Sequence, residues 1–172
     1  IQGLLKQADA KIATLLDIVK TNSSSEYGDD ATYQLGETYL EKTSLDTSLF
    51  YFQKVIKDYG SKTSYANSAR IKSGLIYFNK GEAAKALLEY KGVMKSNPSP
   101  AERSTSLKAI EEIYVDHMAN SKAYLKYLDS IPATEKGSIS LDSLTYHLAV
   151  NIFNNSQYEA AVNSFSEYLS NF

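Results

Sequence analysis

The chain has 172 residues, 18 basic and 20 acidic side chains for a net charge of -2, fourteen tyrosines and no cysteine. Such a balance lacks the basic excess that neutralises phosphates, so no nucleic-acid partner is expected; the missing cysteines exclude disulfides, thiolate metal sites and cysteine nucleophiles. The length suffices for one sizeable core, and no apolar run is long enough to span a bilayer as a helix.

Residues 1–22 read as a helix, because Leu15, Ile18 and Val19 recur at the i, i+3, i+4 spacing of a buried stripe. A polar run, TNSSSEYGDDA, then signals a loop and a new helix start, with Asp29 and Asp30 suited to the positive end of the helix dipole. The segment 29–62 follows as a helical hairpin: Leu35, Gly36 and Tyr39 on its first helix, Ser48 and Phe52 on its second, and Gly60 as its stop. Residues 67–100 are the clearest copy, with Gly74 and Tyr77 three apart, Gly81 at the turn, Ala86 and Tyr90 four apart, and Pro98 at the end. Ser99-Pro100-Ala101-Glu102 is a capping box with proline at the first helical position, which starts the next helix. The hairpin 104–137 keeps Tyr114, Ala123 and Tyr127 but has Glu111 where the small residue belongs, and Pro132 leads into the polar run ATEKGSIS. The segment 142–172 restores the pattern with Leu148, Ala149, Ile152, Tyr158, Ala161 and Phe165. Gly36, Gly74, Glu111 and Ala149 are spaced by 38, 37 and 38 residues, a regularity that chance hairpins do not produce.

This series of spacings resembles the tetratricopeptide repeat, a helix-turn-helix unit with G-x-x-Y, then A-x-x-x-F, then P. The resemblance covers nearly the whole chain and implies an all-α, right-handed superhelix of tandem hairpins, an α-solenoid of roughly nine helices acting as a non-catalytic scaffold for protein partners. Residues 1–22 then become the second helix of a half repeat, and Phe172 falls on the penultimate consensus position. The chain is therefore expected to be a piece of a longer protein, and the apolar face of its last helix to be covered by another repeat or to self-associate. The run of Tyr59, Gly60, Ser61, Tyr65 and Ala66 further resembles the longer repeats of bacterial outer-membrane assembly and envelope lipoproteins, which implies an envelope setting.

No residue pattern points to catalysis or to a cofactor. His117 and His147 lack any H-E-x-x-H or H-x-x-x-H partner, so no metal site is expected. Adjacent carboxylates such as Glu111 and Glu112 point in different directions from a helix and read as a solvated face. The resemblance implies that the first helices line a concave surface, and the positions it assigns there include Tyr33, Ile71, Leu75, Phe78, Tyr146, Val150 and Phe153, with Glu37, Leu40, Lys108, Glu112 and Val115. That stripe is either a groove for a peptide segment or partner domain, or buried mortar between neighbouring first helices. Tyrosines outside the packing positions leave open a receptor for a carbohydrate or peptide ligand, and a basic concave face would point to an RNA-binding repeat instead. Residues 67–100 carry six basic and two acidic groups, whereas residues 142–172 carry three acidic and none basic.

Overall fold

A computed structural model describes residues 2–21, 27–118, 120–132 and 141–171; residues 22–26 of the first polar run, the run ATEKGSIS and Phe172 lie outside them. All regular structure among the described residues is helical, and the chain divides into two compact units, Ile1–Glu102 and Arg103–Phe172.

The first unit holds α1 (Gln2–Thr21), α2 (Gly28–Glu41), α3 (Leu45–Lys54), α4 (Ala66–Asn79) and α5 (Ala83–Met94), with α3 running on into a π turn, Val55–Tyr59, and a 3-10 turn, Gly60–Lys62. Helices α2 and α3 form one antiparallel hairpin and α4 and α5 a second, while α1 lies against α2 and α3 against α4. Each hairpin closes where the sequence has glycine facing an aromatic ring. A methyl group on Gly36 would lie 2.6 Å from the Phe52 ring, and one on Gly74 would lie 2.8 Å from the Tyr90 ring. Only a bare backbone lets the helices approach this far. Ser48 adds to the same contact, donating its hydroxyl to the Gly36 carbonyl at 2.7 Å.

The two turns are built alike. Thr43 and Gly81 take φ of 57° and 75°, and the next amides, of Ser44 and Glu82, reach back five residues to the Tyr39 and Tyr77 carbonyls at 2.9 Å. This pairing satisfies carbonyls that a helix end otherwise leaves open. Gly60, expected as the stop of its hairpin, has φ 51° and ψ -129°, a combination open to glycine alone. Between the hairpins, Phe52, Val55, Ala69 and Ile76 form a buried cluster with Tyr33, Leu40, Leu45, Leu49, Ile56 and Tyr65 packed around it.

Charge reinforces the edges of this packing at a fixed period. Lys42, just past the end of α2, pairs with Asp9 of α1 at 2.6 Å, and 38 residues on Lys80, just past the end of α4, pairs with Asp46 of α3. Glu89 of α5 receives Gln53 of α3 at 2.8 Å on one oxygen and Arg70 of α4 at 3.1 Å on the other.

The helix α6 (Pro100–Glu111) begins at the end of the first unit, and its capping box is made: the Ser99 amide donates to Glu102 at 2.8 Å, and the Glu102 amide reaches the Ser99 hydroxyl at 3.3 Å. The second unit continues through a π turn, Glu112–His117, then α7 (Ser121–Asp129), α8 (Leu141–Asn154) and α9 (Tyr158–Asn171). The α8–α9 turn repeats the earlier geometry, with Ser156 at φ 60° and the Gln157 amide on the Ile152 carbonyl at 3.2 Å. The turn into α7 differs. The Asn120 amide reaches back six residues, to Tyr114, and the Asn120 side chain caps the helix through the Ala123 amide at 3.1 Å.

That extra residue corrects the expected register of this hairpin. From Gly36, Gly74 and Ala149 to the residue opening the second helix, Ser44, Glu82 and Gln157, is eight positions, but from Glu111 to Asn120 is nine. The π turn absorbs the added residue, as a π segment does inside an α-helix. The second helix is thereby displaced by one position: Tyr124 and Leu128 are buried, and the expected Ala123 and Tyr127 are only half-buried. Tyr124 stands where the other hairpins have Ser48, Ala86 and Ala161, and its hydroxyl lies 3.5 Å from the Glu111 carboxylate. Burial, and then the Glu111 charge, raise the Tyr124 pKa above the usual tyrosine range.

Candidate functional site

In the first unit the expected binding residues divide by helix. Tyr33 of α2 is half-buried, stacked on Tyr65 at 4.8 Å and tilted against Phe52 at 5.5 Å. Burial, with Glu37 adding to it against an opposing hydrogen bond from Ser68, pushes its hydroxyl pKa up to about 12. Tyr33 is thus engaged in holding α2, α3 and α4 together, and Leu40 joins the same buried cluster. Beside them Glu37 pairs with Lys72 at 3.1 Å, which ties α2 to α4.

Ile71, Leu75 and Phe78 lie at i, i+4 and i+7 on one face of α4. Ile71 and Phe78 are half-buried, and Leu75 between them is 44% exposed. Neighbouring helices therefore cover the ends of this stripe and leave its middle open.

In the second unit Tyr146, Val150 and Phe153 have the same spacing on α8. Tyr146 and Phe153 are exposed by about half, and Val150 is half-buried. Tyr146 is flanked by Phe165 at 6.0 Å and Tyr168 at 5.6 Å, and Phe153 meets Tyr158 at 5.5 Å across the turn. Val115, placed by its repeat position in the groove, is instead buried, and its carbonyl accepts from Asn151 at 3.2 Å. Lys108 and Glu112 are exposed.

Two surface features were missed from the sequence. Phe50 and Leu88, 38 residues apart and both exposed, occupy matching places on α3 and α5; their equal spacing was the available signal. A cleft of about 340 Å³ opens beside the 3-10 turn, lined by Ser64, Asn67, Arg70, Ser96 and Glu102 among others. Several of its polar groups are already engaged: Asn67 bonds Ser96 and Glu102, and Arg70 is held by Glu89. Among the described residues no group of three or more histidines and carboxylates could hold a metal, and no helix is long and apolar enough to cross a membrane.

A tetratricopeptide-repeat model matches residues 30–61, the hairpin of α2 and α3. No curated protein matches the chain. Among solved structures it is similar to a mutant form of a Podosopora anserina protein described as a kinesin light chain with nearly identical TPR-like repeats. The likeness has a TM-score of 0.61 at 12% identity and covers 96% of this chain and 85% of that one. The fold is accordingly an all-α solenoid of tetratricopeptide type, an architecture that generally mediates protein–protein interaction.

Proposed function

We propose that the chain is a non-catalytic scaffold that binds an extended segment or an amphipathic helix of a protein partner along the first-helix face. The observation that carries this reading is the stripe on α4: Leu75 remains 44% exposed between the better-covered Ile71 and Phe78. An aliphatic or aromatic anchor from a partner would cover Leu75 at little cost in ordering, because α4 is already fixed by the hairpin. The α8 stripe offers a second set of anchors, Tyr146, Val150 and Phe153. A receptor for a small ligand is less well supported, because tyrosines such as Tyr33 with Tyr65, and Tyr39 with Tyr51, stack on each other. A bacterial-envelope setting rests on the repeat spacing and the tyrosine-rich stop alone.

Selection of a displayed peptide library against the whole chain tests the reading. Enriched peptides should carry bulky apolar anchors; Leu75→Asp should sharply weaken capture of those seated on α4, and Phe153→Ala capture of those seated on α8, each with the melting temperature unchanged. Peptides captured equally by both variants would move the binding surface away from the first helices.

A further inference from the structure

The cleft beside the 3-10 turn, at about 340 Å³, has the volume of a small-molecule site, and every residue lining it belongs to the first unit. None of its walls is a tyrosine, so the stacking that engages those rings elsewhere leaves it untouched. Its polar lining spends part of its hydrogen-bonding capacity on holding itself in place and keeps the rest open. Arg70 donates through Nη1 to Glu89 at 3.1 Å, and its Nε and Nη2 groups have no partner among the described residues. Glu102 accepts the Ser99 amide, the Ser99 hydroxyl and the Asn67 side chain all on Oε2, at 2.8, 2.8 and 3.4 Å, and its Oε1 accepts none. The hydroxyls of Ser61 and Ser64 are likewise unpaired among the described residues. Gly60, in the same wall, carries the backbone conformation open to glycine alone, a kind of strain found at ligand-binding turns.

We propose that this cleft binds a neutral, polyhydroxylated molecule of about the size of a monosaccharide. A sugar hydroxyl donates and accepts at once, so neighbouring hydroxyls can donate to Glu102 Oε1 and accept from the open edge of Arg70, while Ser61 and Ser64 serve either way. The planar guanidinium and the carboxylate are fixed by Glu89, Ser99 and Asn67, so little ordering is left for the ligand to impose. Ile56 supplies an apolar patch for the carbon face of the ring. Other ligand classes fit these groups less well. An anion on Arg70, the carboxylate of an amino acid included, would stand close to the carboxylates of Glu89 and Glu102, and a cation on Glu102 would meet the Arg70 guanidinium. An apolar molecule would cover the open N–H and oxygen groups without pairing them. The cleft lies apart from the exposed Leu75 of the proposed protein-binding stripe, so the two readings stand or fall separately.

The test is titration of the whole chain with glucose, galactose, mannose and N-acetylglucosamine, followed by two-dimensional amide NMR. At least one sugar should give saturable shifts at the amides of Ser61, Ser64, Asn67 and Arg70, with a dissociation constant of about a millimolar, as suits a ligand of this size. Ser64→Leu, which fills the cleft with an aliphatic side chain, should abolish those shifts, and because Ser64 is exposed the variant should melt like the parent. Arg70→Lys keeps a cation for Glu89 but loses the planar fork, and should weaken binding about two- to tenfold. Leu75→Asp should leave the sugar shifts unchanged. Absence of saturable shifts with all four sugars overturns the proposal, as does an affinity that Ser64→Leu or Arg70→Lys leaves unchanged. So does tighter binding of inorganic phosphate or glycine than of any sugar at the same amides.

Discussion

The hairpins α4–α5 and α6–α7 solve one packing problem in opposite ways. In the first, Gly74 yields its side-chain volume to the Tyr90 ring, and a glycine at φ 75° turns the chain after a regular helix. In the second, Glu111 occupies the glycine position, the helix widens into a π turn, and a tyrosine fills the place where the other second helices have serine or alanine. The π turn adds one residue before α7, which moves the buried face from Ala123 and Tyr127 to Tyr124 and Leu128. A repeat can therefore lose its small crossing residue and keep a core, provided the backbone slips by one position and a larger side chain takes up the space. The displaced pair still meets through a polar contact, Tyr124 to Glu111 at 3.5 Å.

The sharpest way to break this contrast is to truncate the rings. Tyr90→Ala and Tyr124→Ala should each destabilise the chain by about 3–5 kcal/mol, the cost of deleting a large buried ring, and Tyr127→Ala should cost distinctly less. Urea denaturation of the three variants measures it, and a larger loss at Tyr127 than at Tyr124 would restore the unshifted register. Next in size is the crossing point. Gly74→Leu should cost about 1–3 kcal/mol, because even its first carbon would press on the Tyr90 ring, whereas an exchange of Glu111 for leucine meets no such bare crossing and should be milder. Thermal melts of the two leucine variants decide between them.

The smallest effect concerns the capping box that separates the two hairpins. Burial alone would raise the Glu102 pKa, but the Ser99 amide and hydroxyl and Asn67 outweigh it and hold the carboxyl below its ordinary value of 4.5. The folded pKa is depressed, so the stabilisation is present above the ordinary glutamate range and disappears as the pH falls through it to the lower folded value. Glu102→Gln should thus cost about 0.5–1 kcal/mol near neutrality and approach zero in acid. Denaturation midpoints of parent and variant, followed from pH 7 downward, should converge.

Much of this architecture is legible in the residues. Gly36 with Phe52 and Gly74 with Tyr90 lie sixteen apart in both hairpins, and both are close crossings, because a glycine and a ring at that spacing leave the helices one economical way to meet. The box of Ser99 and Glu102 is read correctly because it is local chemistry over four residues. The π turn is not legible: its signature is a hydrogen bond reaching one residue further back, and nothing in EIYVDH differs from ordinary helix. In the candidate site, the spacing of Ile71, Leu75 and Phe78 marks a common face, yet Tyr33 on α2 is partly covered by Tyr65, a neighbour supplied by tertiary packing. The face of α4 follows from periodicity, whereas the share of it left uncovered depends on side chains from other helices.

Among the described residues, every substantial packing contact joins elements next to or nearly next to each other along the chain. A topology of this kind has little loop-closure entropy to overcome, and chains rich in such local contacts typically fold in about microseconds to milliseconds. During synthesis, the hairpin of α2 and α3 has its glycine, its ring and its turn in hand once Tyr59 has left the ribosome, and α4 then finds a finished surface on which to condense. Order of emergence can thus serve as order of assembly, because among the described residues each helix packs on elements close to it along the chain.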